Sequence, residues 1–294
     1  MLKKEKTVLT ITFLFPALCM YSVFVLYPIF RAFYICFFKW SGLSANMTFV
    51  GFNNFIKLFT NDPIFWMSFK QTLLYLVIIC VATLFLALLF ATVVSQGLKW
   101  SKFFQIIFFW PSLLSIVAVS VLWIFIYSPR LGVLNSLLRL IGLDGWTRIW
   151  LAEKGTALPS VAFTIIWMWV GFYMVLFISG LQKIPEELYE AARIDGANSL
   201  QSFRYITVPL MWETLRVAFV YILIQAFKLF APVYVMTQGA PDRTTENLAT
   251  YIYKTAFHYN EWGYATAMGV IMFLFILCIT MMTRRLTKRQ TVQY

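Results

Sequence analysis

Residues 72–94 read TLLYLVIICVATLFLALLFATVV, from Thr72 to Val94, without one charged side chain, glycine or proline. A helix rises about 1.5 Å per residue and the hydrocarbon core of a bilayer is about 30 Å thick, so a run of about 20 such residues crosses it. Similar apolar runs lie at roughly 8–30, 103–127, 158–181, 214–236 and 264–283, which makes six spans. In lipid an unpaired peptide group costs several kcal/mol, and only helices or closed barrels pair them all. Alternating ten-residue strands are absent, which rules out a barrel. The expected fold is therefore all-α: a polytopic membrane protein whose residues 1–294 form a single transmembrane domain.

Composition points the same way. The 294 residues are 61% hydrophobic and only 12% charged, about half the charged share of a soluble domain. One globular core of this length cannot bury so much apolar surface, and lipid must cover the rest. The formal charge of +12 does not mark a nucleic-acid binder, because no basic cluster sits on a soluble fold. Many of the Lys and Arg residues flank apolar runs instead. Cys19, Cys36, Cys80 and Cys278 are scattered and offer neither metal spacing nor a disulfide framework. The start, Met1 to Lys6 before an apolar run, lacks a small-residue cleavage pattern, and Leu18 before Cys19 argues against a lipoprotein site. It reads as an uncleaved first span.

Six spans place both termini on one side. The short segments there are basic: Lys3, Lys4 and Lys6, then Lys99 and Lys102, then Arg284, Arg285, Lys288 and Arg289. That side is expected to be cytoplasmic, the bias being one of density more than of total.

The longest segment on that side, 182–213, has its own pattern. In Ile184-Pro185-Glu186-Glu187-Leu188-Tyr189-Glu190-Ala191-Ala192, Pro185 suits a first helical position and two carboxylates sit in the first turn, where the helix dipole favours them. Gly196 interrupts, and a second helical stretch from Asn198 to Ile206 is expected to stop before Pro209, which restricts Val208. Leu188, Ala191, Ala192 and Phe203 are the expected apolar face; Glu187, Glu190, Arg193 and Arg204 the polar one.

The run Glu190-Ala191-Ala192-Arg193-Ile194-Asp195-Gly196, followed by Ile206-Thr207-Val208-Pro209, resembles the EAA loop of ABC importer permeases. Its continuation through Ala197 is similar to the carbohydrate branch, with Val208 standing where that family usually has leucine. Collinear segments extend the resemblance: Phe49-Val50-Gly51-Phe52-Asn53-Asn54-Phe55, Phe109-Trp110-Pro111, Tyr234-Val235-Met236-Thr237, Tyr253-Lys254-Thr255-Ala256-Phe257 and Gly263-Tyr264-Ala265. The order looks like the first of the two permeases in importers of the maltose and glycerol-3-phosphate type.

The resemblance implies a type I importer fold in a bacterial cytoplasmic membrane and a coupling helix seated in a cleft of a separate ATPase, with Glu190, Ala191, Ala192, Asp195, Gly196, Ile206 and Pro209 at the contact. It also implies the partners: a second homologous permease, an ABC ATPase dimer, an extracytoplasmic substrate-binding protein and membrane lipid, with no nucleic acid. The chain itself has no G-x-x-x-x-G-K-[ST] loop. No cofactor is expected on it; ATP and magnesium are expected on the partner ATPase, which drives alternating access.

Polar groups inside a span suggest function. Tyr221, Gln225, Lys228 and Pro232 stand at i, i+4, i+7 and i+11, one face of a continuous helix lining a sugar-sized cavity. For Lys228, snorkelling to the outer headgroups is the alternative. Trp167, Trp169, Phe172 and Tyr173 offer rings for stacking on a sugar, although their spacing does not put all four on one face. The small residues Gly263, Ala265, Ala267 and Gly269 suit close helix packing. The outer loops 31–71, 128–157 and 237–262 carry Trp40, Trp146, Trp150, His258 and Trp262, candidate contacts for a binding protein. No metal site is expected, His258 being alone. A six-span secondary transporter or channel is the alternative class, for which the 190–209 pattern would be coincidence.

Overall fold

The computed structural model describes residues 2–44, 46–95 and 99–286, with backbone only over 2–10 and at 286. In chain order the helices and strands are α1 (Leu2–Tyr21), α2 (Tyr27–Ile35), β1 (Phe38–Lys39), β2 (Thr48–Phe49), α3 (Asn53–Thr60), α4 (Pro63–Val94), α5 (Ser101–Phe109), α6 (Ile116–Ile126) and α7 (Val133–Leu140). Then come α8 (Ala157–Leu181), α9 (Glu186–Ile194), α10 (Ser199–Ser202), α11 (Val208–Leu210), α12 (Trp212–Phe227), α13 (Ala231–Met236), α14 (Leu248–Phe257) and α15 (Trp262–Leu286). Among the described residues, four apolar helices are long enough to cross a membrane, and six spans result if each of two bent pairs counts as one. Lys288 and Arg289 lie outside the described residues.

The fourth expected span matches α8 to within one residue. The second does not stop at 72 but runs back to Pro63, making α4 a helix of 32 residues, about 48 Å by helical rise. Its start is built locally. Pro63 takes the first helical position, which needs no N–H, and the Asp62 carboxylate accepts from the Phe65 N–H at 2.9 Å.

The third and fifth spans are broken. Ser101–Leu113 and Ile116–Ile126 meet at 100°. Trp110–Leu113 tightens into a 3-10 turn containing Pro111, and Leu114 and Ser115 then leave the helix with ψ of 152° and 130°. In the fifth, Ser199–Leu210 bends by 69° into Trp212–Phe227, and α12 then ends before α13 begins. Pro232 occupies the first turn of α13. A helix carried through it would set its ring against the carbonyl of Lys228, four residues back, so the chain breaks at 228–230.

Proline is handled differently at two other places. The π turns Ser22–Leu26 and Phe203–Thr207 lie directly before Tyr27-Pro28 and Val208-Pro209. Each contains the carbonyl four residues before its proline, Phe24 and Tyr205. A widened turn moves that carbonyl off the ring, and the helix continues. Pro209 therefore does not end its helix as expected: Val208 is helical, with φ −62° and ψ −45°.

Packing divides the chain into two units. The first comprises residues up to Phe65 with Tyr251–Phe275. In it β1 pairs with β2, Phe38 opposite Phe49, and buried Asn54 donates to the carbonyls of Cys36 and Phe38 at 2.8 and 3.0 Å. The second oxygen of Asp62 accepts from the phenols of Tyr251 and Tyr264 at 2.7 and 2.6 Å. Gly263 packs as expected of a small residue, since a Cβ there would strike the Phe38 carbonyl, whereas one on Gly269 would meet nothing within 4 Å.

The second unit, Trp66–Thr250 with the segment from Ile276, has its core around α8. Ile79, Val161, Ile165, Met174, Phe177 and Ile222 are each wholly or almost wholly buried in one cluster. In the apolar window of α8, 67% of residues are buried, against none in that of the first span, Ile11–Ile35. The chain thus supplies its own solvent for α8 and leaves the first span to lipid or another chain.

Candidate functional site

The 182–213 segment is built from hydrogen bonds between near neighbours. Pro185 is the residue before α9 rather than its first, with ψ 135°, and Glu186 and Glu187 fill the first turn. At the other end the Ala197 N–H donates to the Ala192 carbonyl at 2.8 Å and the Gly196 N–H to Arg193 at 3.1 Å. This double bond pattern, with Gly196 at φ +79°, closes a helix through a left-handed residue. Two residues later Asn198 opens α10 with a reciprocal cap: its side chain accepts from the Gln201 N–H at 2.9 Å, and its own N–H donates to the Gln201 side chain at 2.8 Å.

The two arms are fastened to each other by the hydroxyls of Tyr189 and Thr207, 2.9 Å apart. Leu188, Ala192 and Phe203 are half-buried, and Ala191 is exposed, so the expected apolar face lacks one member. Glu190, Asp195, Gly196 and Pro209 are exposed and Ile206 is half-buried. The sequence reading missed three large apolar side chains turned outward: Ile194 is 87% exposed, Leu200 74% and Tyr205 70%. An isoleucine among charges at the end of α9 was the available signal. Behind the loop lies a cavity of about 630 Å³, lined by Thr92 and Ser95 at the end of α4, Gln182, and Glu186, Tyr189 and Arg193 of α9, among others.

The span candidates separate into two groups. Tyr173 and Tyr221 come together, ring centroids 6.3 Å apart, with Phe172 at 5.9 Å from Tyr221. Tyr173 is buried and its hydroxyl has no hydrogen-bond partner among the described residues. Half-buried Trp169 lies one turn before it on α8, and half-buried Gln225 one turn beyond Tyr221 on α12. Trp167 instead packs edge-on against Trp123 at 5.5 Å. The expected four-residue stripe ends early: Lys228 is the exposed residue closing α12, and Pro232 is buried across the break in α13.

Of the tryptophans in the loops expected to lie outside, Trp150 is structural: its ring N–H donates to Asn135 at 2.8 Å, and Asn135 also holds the Pro129 and Arg148 carbonyls. Trp146 is 70% exposed. In the first unit, Trp40 and Trp262 lie 6.2 Å apart and His258 is exposed. Asp242 pairs with Lys154 at 2.7 Å. The hydrogen bond from that ammonium, and then its charge, hold the Asp242 carboxyl below the usual carboxylate range. The pair's contribution is present at neutral pH and is lost as pH falls through that lowered value; on an exposed pair, salt screens it.

The model of a family described as binding-protein-dependent transport system inner membrane component matches residues 83–292. The chain is 41% identical over 286 residues to a probable ABC transporter permease of Bacillus subtilis, YurN, with 97% of each covered. It is 36% identical over 279 residues to NgcF, a diacetylchitobiose uptake permease of Streptomyces coelicolor, covering 91% of this chain and 79% of that one. Among solved structures it superposes on a chain of a bacterial ABC transporter that imports the acidic polysaccharide alginate. The TM-score is 0.85 at 25% identity, with 98% and 97% of the two chains covered.

Proposed function

We propose that this chain, which belongs to the family of binding-protein-dependent transport system inner membrane components, forms half of a membrane path for a carbohydrate and is driven by a separate ATPase seated on residues 186–209. The observation that carries the reading is the outward display of Ile194, Leu200 and Tyr205 on a loop fixed by its own caps. Apolar side chains on a rigid, charged rim are what a protein cleft desolvates with profit. The sequence lacks a phosphate-binding loop, so ATP and magnesium belong to that partner. A second homologous permease completes the path, the ATPases act as a pair, and a substrate-loaded binding protein approaches from the opposite face. With the basic segments and the coupling loop on one side, both termini are cytoplasmic.

Ile194→Glu and Leu200→Glu are each expected to lower recovery of the ATPase on the purified permease tenfold or more. Monomer melting should be unchanged, because neither side chain is buried. Recovery at the wild-type level would remove the loop from the interface.

Carbohydrate as cargo is supported by relatives named for diacetylchitobiose and for multiple sugars. The exposed Tyr221 ring is an aromatic face for sugar C–H groups, and the Gln225 amide beside it and the buried Tyr173 hydroxyl behind it are groups for the sugar's hydroxyls. Tyr173→Phe keeps the ring and removes that hydroxyl. In an uptake panel of mono-, di- and oligosaccharides it is expected to raise KM for the transported sugar about fivefold or more, roughly the worth of one hydrogen bond. An unchanged KM would take Tyr173 off the path.

A further inference from the structure

The break in span five exposes a difficulty that the chain solves at a distance. Leu229 lies between α12 and α13, is 2% exposed, and has its carbonyl outside both helical ladders. A buried carbonyl needs a donor, and the donor is the side-chain amide of Asn247, eighteen residues on. Asn247 is itself 1% exposed. Its other atom, Oδ1, accepts from the Thr250 N–H at 3.0 Å, and its backbone N–H donates to the Thr250 hydroxyl at 3.1 Å. That is a reciprocal cap on the first turn of α14.

The segment leading to Asn247 is fixed as well. The hydroxyls of Thr237 and Thr245 are 2.8 Å apart, and Thr245 donates to the Ala240 carbonyl at 2.8 Å. The next N–H along α14, that of Leu248, donates to Thr72 on α4 at 2.9 Å. One amide therefore has its two ends committed to two places, the break after α12 and the first turn of α14.

We propose that Asn247 is a positioning residue for transport: its Nδ2 sets the angle of the break at 228–230, so that α12, with Gln225 and Lys228, moves in step with the first turn of α14. The proposal rests on the reading of span five as part of the path. A bent helix whose free carbonyl is held from outside itself is a hinge with a handle, and two-state closure acts through such element ends.

The test uses the full complex with its ATPase in proteoliposomes, from a parent whose four native cysteines are alanine. Lys228→Cys is labelled with N-ethylmaleimide, without nucleotide and with ATP plus vanadate. In the parent the two rates are expected to differ fivefold or more. Asn247→Ser keeps a capping oxygen but is too short to reach Leu229, and should bring the ratio to about one. Thr250→Ala weakens the cap alone, lowers melting and keeps the ratio. A parent ratio of one sinks the pathway reading, and the proposal with it. A ratio that survives Asn247→Ser sinks the proposal alone. Should the serine variant not assemble, Asn247→Asp reads the same missing donor: an unchanged ratio overturns the proposal and a collapsed one supports it.

Discussion

Gly196→Val is expected to lower ATP-driven uptake in proteoliposomes by about five- to thirtyfold while moving the melting of the isolated chain by no more than a few degrees. The reason is not space, because a Cβ at residue 196 meets nothing within 4 Å. The cost is in the backbone: at φ +79° a side chain is disfavoured by about 1–2 kcal/mol, and more when β-branched. That sum shifts the population of the closed turn by a factor of roughly 5–30. Since Gly196 lies at the surface, the loss falls on the relation between α9 and α10 and not on the core. Gly196→Asn, which tolerates the left-handed region and is found at helix ends, should restore most uptake. Equal loss in both variants would show that residue 196 acts by contact instead of by conformation.

Gly171→Val is expected to do the opposite, removing the chain from the membrane altogether. A Cβ on Gly171 would overlap the backbone of Phe108 and Phe109; neither is a side-chain tip that swings away. Helices α5 and α8 touch there main chain to main chain, just before the 100° turn of the third span. Overpacking ordinarily costs about 1–3 kcal/mol, and a clash with backbone belongs at the top of that range. Since total stability is about 5–15 kcal/mol, steady-state abundance in membranes, read by immunoblot, should fall several-fold with Gly171→Ala and below detection with valine. Normal abundance of the valine variant would mean that the two helices separate freely.

What could be read from the sequence follows from how local each feature is. Hydropathy measures how much apolar chain is present, not its direction, so it found α8 at its true length and missed the turns in the third and fifth spans. Pro111, Pro209 and Pro232 were all visible, yet one tightens a turn, one is absorbed by a π turn and one breaks the helix. The deciding factor is what surrounds the carbonyl four residues back, which composition does not record. The start of α4 was lost because Lys70 and Gln71 ended the apolar run while the helix did not end. The loop at 190–209 was legible because its caps are formed by residues three to five apart. Asn247 was not, because its partner is eighteen residues away, and Tyr205 lies in a π turn, whose direction an ordinary helical period does not give.

The left-handed closure of α9 and the reciprocal cap of α10 bear on how another protein is received by this loop. A loop closed by its own hydrogen bonds has little freedom left to lose when another protein covers it, so the entropy of ordering is already spent in the free chain. Such a surface does not mould itself to what it meets. With an ATPase on this loop as proposed, pairing would be decided by fit at first collision, an ill-matched ATPase would leave quickly, and exchange of this short cassette between permeases would be the way to redirect it.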